Sequence, residues 1–195
     1  ISIFMLYFAH RLLKEERAAD LARRLMMSNE WVDGKASAKN SQVKRNLQLN
    51  LGDTYTNFSK EIIEIIDNDE LVKSFSFPSK IFNILFTRTG KGMFYGPHLD
   101  SPYLDTGRRD MSFTIFLNKL EDYKGGELML YIPPEKKQIK MNPGEMIIYP
   151  TKYLHEVKEV TEGERMVCVG WIESQIARDD EREDLYLFKS ALSQI

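Results

Sequence analysis

The sequence predicts a mainly β domain with flanking helices, its strands folded into a sandwich or barrel. Three observations carry this. From Ile81 onward, short β-rich runs follow one another; turn residues separate them; and only the two ends of the chain show helical periodicity. At 195 residues, with 43% hydrophobic and 29% charged side chains, the chain has the makeup of one globular domain with one core.

The opening run, Ile1 to Phe8, is apolar and predicts a strand. It is too short to cross a bilayer and lacks the basic stretch of a signal peptide. Lys14 to Met27 predicts a helix, because Ala18, Leu21, Ala22 and Leu25 recur at spacings of three and four with charges opposite. Asp33-Gly34 marks a turn. A second helix is expected from about Phe58 to Val72, burying Phe58, Ile62, Ile65, Ile66 and Val72.

Strands are then expected at Ile81–Arg88, Ser112–Asn118, Glu127–Ile132, Glu145–Tyr149 and Arg165–Glu173. Gly90, Gly92, Gly96-Pro97, Gly125-Gly126, Pro133-Pro134, Asn142-Pro143-Gly144 and Gly163 punctuate them. The tail from about Gln175 predicts a charged helix packing through Leu185, Phe188, Leu192 and Ile195. The expected organisation is a single domain over residues 1–195, with a helical part to about 75, a β core over about 78–174 and a closing helix.

A net charge of −2 offers no long-range attraction to nucleic acid, and no segment reaches membrane-spanning length. Short basic clusters at Lys35, Lys39, Lys44 and Arg45, and at Lys136, Lys137 and Lys140, are interspersed with acids and read as solvated faces. The single cysteine, Cys168, excludes an internal disulfide and fits a reducing, cytoplasmic setting. Its apolar neighbours Val167 and Val169 make it a buried, inert thiol.

His98-Leu99-Asp100, His155 and Arg165 carry the chemistry. An acid follows a histidine at the second position about one time in seven in a chain this acidic, so the first pair alone is a weak motif. Context strengthens it, since two of only three histidines fall in the pattern. On a strand His98 and Asp100 point the same way while Leu99 faces away. His155 lies just beyond the Glu145–Tyr149 strand, at a rim position. Two imidazoles and a carboxylate occupy one face of a ferrous ion and leave three positions open. A catalytic zinc is the alternative on ligand chemistry alone, but it leaves Arg165 without a role.

Arg165 is expected to open its strand, with Val167, Val169 and Trp171 on the same face. A guanidinium beside an apolar lining needs an anion, and its planar fork suits a dicarboxylate. His10 reads as structural. Asn46 and Gln48 share one side of a strand, expected to face solvent; facing a cavity instead, they could orient a substrate.

From Gly92 to Glu173 the chain resembles the 2-oxoglutarate- and Fe(II)-dependent oxygenase superfamily, in its prolyl/lysyl hydroxylase-domain branch and in particular the bacterial PKHD-type hydroxylases. The segments that carry the resemblance are Gly92 to Asp100, Tyr123 to Leu128, Pro143-Gly144-Glu145, Tyr149-Pro150 before His155, Gly163-Glu164-Arg165 and Trp171 to Ser174. It continues through Trp31 to Ala36, Val43 to Leu49 and Arg178-Asp179-Asp180, and so covers most of the chain.

The resemblance implies a double-stranded β-helix, or jelly-roll, core with helices packed on one sheet. It implies Fe(II) held by His98, Asp100 and His155, and the distal carboxylate of 2-oxoglutarate held by Arg165, with Tyr95 or Thr114 as a second partner. Ascorbate is a further expected cofactor. Tyr95 also reads equally as a packing aromatic. The implied substrate is a peptidyl proline or lysine, with a free small molecule as the alternative. A non-catalytic jelly-roll metal-binding module, or cupin, is the competing class, and the charge balance disfavours a nucleic-acid demethylase. Asp100 in the ligand position argues against halogenation.

Overall fold

The computed structural model describes residues 7–38 and 42–192. Its elements run β1 (Phe8–Arg11), α1 (Glu15–Met26), β2 (Trp31–Asp33), β3 (Lys44–Arg45), β4 (Leu47–Leu49), α2 (Asp53–Asp67), α3 (Glu70–Ser76) and β5 (Pro78–Gly90). Then come β6 (Phe94–His98), β7 (Tyr103–Leu104), β8 (Gly107–Arg108), β9 (Met111–Phe116), β10 (Tyr123–Gly125) and β11 (Leu128–Ile132). The chain closes with β12 (Glu135–Ile139), β13 (Glu145–Pro150), β14 (Leu154–Val157), β15 (Val160–Ser174) and α4 (Asp179–Leu192).

Apart from the β7-β8 hairpin, the strands form two facing antiparallel sheets of the jelly-roll kind. The larger runs β1-β13-β9-β15-β5-β4-β2, with β10 also on β15; the smaller runs β12-β11-β14-β6-β3. Alternation along β15 serves both sides of the larger sheet. Met166, Cys168 and Ile172 join Leu21, Leu25, Phe58, Ile62 and Ile66 in the core beneath the helices. Val167 packs instead with Leu128, Leu130 and Ile147 between the sheets. Among the described residues no helix is long and apolar enough to cross a membrane.

Helix α1 buries Ala18, Leu21, Ala22 and Leu25, the stripe its periodicity predicts. The second predicted helix differs. It starts earlier, at Asp53, and breaks at Asn68-Asp69. There the Asp69 carboxylate accepts the Val72 N–H at 2.8 Å and starts α3, a local cap that competes with helix continuation. Asp69 also accepts from His10 at 2.9 Å, which gives that histidine its structural place.

The opening strand covers Phe8–Arg11; the rest of the predicted run, Ile1 to Leu6, lies outside the described residues. The part before residue 75 is not purely helical, because β2, β3 and β4 extend the two sheets. Helix α4 does not pack through the predicted face. Phe188 and Leu192 are exposed, whereas Arg182 is buried and Tyr186 meets Phe75 edge-on. The Arg182 guanidinium donates to the Ile176 carbonyl at 2.8 Å and pairs with Asp179, so polar contacts seat this helix. Ile195 lies outside the described residues. Cys168 is buried, and burial pushes its thiol pKa up.

Candidate active site

β6 and β14 are antiparallel neighbours, and their register sets His98 directly opposite His155. His155 thus lies just beyond β13, as expected, inside a short strand of its own. Asp100 follows β6 by two residues. Its carboxylate oxygens lie 3.8 Å from His98 Nε2 and 3.7 Å from His155 Nε2. The three ligand atoms all fall within 4.8 Å of one another. Leu99 faces outward and is 62% exposed, as alternation requires.

Hydrogen bonds orient both rings. His98 Nδ1 is 2.8 Å from the Gly96 carbonyl, and His155 Nδ1 is 2.9 Å from that of Tyr153. A carbonyl only accepts, so each Nδ1 carries the proton and each Nε2 presents a lone pair to the shared centre. Burial, reinforced by the neighbouring His155, lowers the His98 pKa to about 4 and keeps the ring neutral. Tyr95 stacks on His98 with centroids 3.6 Å apart.

The larger sheet holds the carboxylate. Asp100 Oδ2 accepts from Trp171 Nε1 at 2.9 Å and from Ser112 Oγ at 3.2 Å. Since Ser112 spends its one proton on Asp100, Thr151, 3.0 Å away, donates to Ser112. Two neutral imidazoles and a fixed carboxylate are a donor set that fits ferrous iron.

Arg165 lies within β15, which begins at Val160 rather than at Arg165 itself. The side chain is 2% exposed and its Nε has no hydrogen-bond partner. No described carboxylate lies within ion-pair distance. Burial lowers its pKa, with Tyr123 and Tyr149 opposing that shift. The Tyr123 hydroxyl is buried and equally lacks a hydrogen-bond partner. A buried cation without a counter-ion costs several kcal/mol, roughly, so this corner is shaped for an anion. Gly126 keeps it open: with φ at 68°, an added Cβ would come 3.1 Å from Arg165 Cδ and 3.2 Å from Tyr123.

The triad, Arg165, Thr114 and Tyr149 line one cavity of about 870 Å³, within the usual size range of ligand sites. Thr114 projects beside Tyr149, and Tyr95 sits on the metal side against His98. Asn46 and Gln48 overturn the solvent-face expectation. Both are buried, both line the cavity, and Asn46 Oδ1 and Gln48 Oε1 have no partner. The smaller sheet covers their side of the chain, which a run too short for periodicity could not reveal.

Sequence reasoning gave no role to Tyr123, Tyr149, Ser112 or Arg109, and it placed Lys44 on a solvated face, whereas Lys44 is buried and lines the cavity. Tyr123 lies two residues before Gly125-Gly126, a turn signal that hid the glycine clearance around Arg165. Ser112 joins the site through its register with Trp171, and Arg109 through the link that leads into β9.

A profile of the 2OG-Fe(II) oxygenase superfamily matches residues 84–173. A PKHD-type hydroxylase of Prochlorococcus marinus strain MIT 9301 is 44% identical over 192 residues, covering 94% of this chain and 84% of that protein. Another, from strain MIT 9211, is 41% identical over 181 residues, covering 91% and 82%. Two solved structures share the fold. A prolyl-4-hydroxylase of Pseudomonas putida has a TM-score of 0.64 at 17% identity, covering 88% of this chain and 94% of that one. A Trichoplax adhaerens prolyl hydroxylase, solved with a hypoxia inducible factor peptide, has a TM-score of 0.66 at 16% identity, covering 92% and 86%. With the sequence similarity running nearly end to end and the ligand triad in place, the chain belongs to the PKHD-type branch of the 2OG-Fe(II) oxygenase superfamily, as a hydroxylase dependent on ferrous iron and 2-oxoglutarate.

Proposed function

We propose that this hydroxylase inserts oxygen into an aliphatic C–H bond of a peptidyl prolyl or lysyl residue. Its iron ligands are His98, Asp100 and His155, and Arg165 binds the distal carboxylate of 2-oxoglutarate. The iron, when bound with its co-substrate, supplies oxygen activation coupled to decarboxylation of 2-oxoglutarate to succinate and carbon dioxide.

The protein's own contribution is positioning. Gly96 and Tyr153 fix the imidazole tautomers, and Trp171 and Ser112 fix the carboxylate. Arg165 offers a charge-assisted fork, with the Tyr123 hydroxyl as a second donor and Thr114 on the same wall beside Tyr149. Tyr95 holds the His98 ring from its outer face. Apolar residues of the wall, the buried Leu128 and the half-buried Val169, keep water from the reacting centre.

The observation that carries this reading is Arg165, buried with no described carboxylate within ion-pair distance, in the same cavity as the triad. Anaerobic addition of Fe(II) and 2-oxoglutarate should give a visible metal-to-ligand charge-transfer band. His98→Ala, Asp100→Ala and His155→Ala should each abolish it, and a band that survives all three substitutions would refute the ligand assignment. Mass spectrometry of candidate peptides after aerobic incubation identifies the hydroxylated residue. The relatives named as prolyl hydroxylases support the peptidyl reading. The size and polarity of the cavity favour a free small molecule as the second.

A further inference from the structure

The charged side chains lining the cavity are Asp100 and three cations, Arg165, Lys44 and Arg109. With Arg165 assigned to 2-oxoglutarate, the premise of the substrate site proposed here, two of these cations are left unused. A ferrous ion and Arg165 together balance Asp100 and the co-substrate dianion, so Lys44 and Arg109 remain as excess positive charge.

Neither has a carboxylate within ion-pair distance among the described residues. Lys44 is 3% exposed; its Nζ donates to Ser37 Oγ at 2.7 Å and lies 5.2 Å from the centre of the Tyr95 ring. Arg109 sits over Trp171, its guanidinium carbon 3.7 Å from the ring centre, and its buried Nε has no partner. Tyr95 and Trp171 both contact metal ligands, so both cations stand beside the reacting centre. Asn46 and Gln48 follow Lys44 at alternate positions and line the same cavity, each with a buried amide oxygen that has no partner.

We propose that Lys44 and Arg109 bind an anionic group of the substrate, a carboxylate, while Asn46 and Gln48 accept N–H donors from the same molecule. Two desolvated cations favour a carboxylate over its neutral amide because the charged partner replaces the water that burial removed. The ligand is therefore either a peptide with an acidic side chain or terminal carboxylate near the target residue, or a free acid bearing an amino or amide group.

The test uses the Fe(II)- and 2-oxoglutarate-loaded protein under argon, with binding read by isothermal titration calorimetry. The probes are capped pentapeptides centred on proline or lysine with flanking Asp, their Asn counterparts, and N-acetyl amino acids as free acids and as amides. Carboxylate probes should bind at least tenfold tighter than their amides, and the peptide and free-acid arms identify the source. Lys44→Met and Arg109→Gln should each erase that preference, whereas Lys44→Arg and Arg109→Lys should retain most of it. Equal affinity for acids and amides, or no carboxylate probe bound at all, overturns the proposal. Failure of the loaded protein to bind 2-oxoglutarate would instead refute the reading of Arg165, so the two failures are distinguishable.

Discussion

Asp100 illustrates how much of the site is decided one atom at a time. Its Oδ2 is already committed to Trp171 and Ser112, and those bonds hold the carboxylate in the one orientation in which it faces both imidazoles. Trp171→Phe keeps the ring and removes the donor. It should weaken metal binding by about 10- to 100-fold, the usual cost of losing an outer partner, as measured by competition with a chromogenic chelator. Arg165→Ala should weaken 2-oxoglutarate by on the order of 2–4 kcal/mol, the loss of a two-point charge-assisted contact, in an anaerobic titration. Unchanged affinity there would remove Arg165 from the co-substrate site. The triad was legible in the sequence because histidine is rare here, with two of three histidines in the pattern, and Arg165 stood out as a cation beside an apolar run. Tyr123 was not legible, since a tyrosine before two glycines looks like any turn.

Elements were legible where pattern and burial agree. All four stripe residues of α1 are buried, and β5, β9, β11, β13 and β15 lie where apolar runs placed them. The break between α2 and α3 was hidden because apolar spacing continues across it; a single side-chain cap outweighs that continuity. Asp69→Ala should lower stability by about 1 kcal/mol through the lost cap, read as a shift in the urea midpoint. β12 went unseen for the opposite reason. Glu135, Lys136 and Lys137 have no apolar alternation, and they form a strand because β11 supplies a ladder to pair with. The end of α4 misled: its leucines and Phe188 suggest a packing stripe, yet only its first turns meet the core.

At the scale of the whole molecule, sheet order is what sequence reading could not reach. β15 pairs with both β5 and β9, and that long-range register sets Ser112 opposite Trp171, with Arg109, just before β9, over the Trp171 ring. The pH response also belongs here. A His98 pKa near 4 in the folded chain lies below the usual histidine value of 6.5, so the unfolded state binds this proton first as pH falls. Stability of the metal-free protein should therefore drop as pH falls from about 6.5 towards 4, and urea midpoints across that range would check it. The position of Asp100 has one more result. The histidines belong to the smaller sheet, while the carboxylate is bonded to β9 and β15 of the larger. An ion seated among them acts as a rivet across the open rim of the jelly roll. Stripping it should let that rim breathe, with faster amide exchange in β6 and β14 and a lower melting temperature, while the helix-covered side stays as rigid as before.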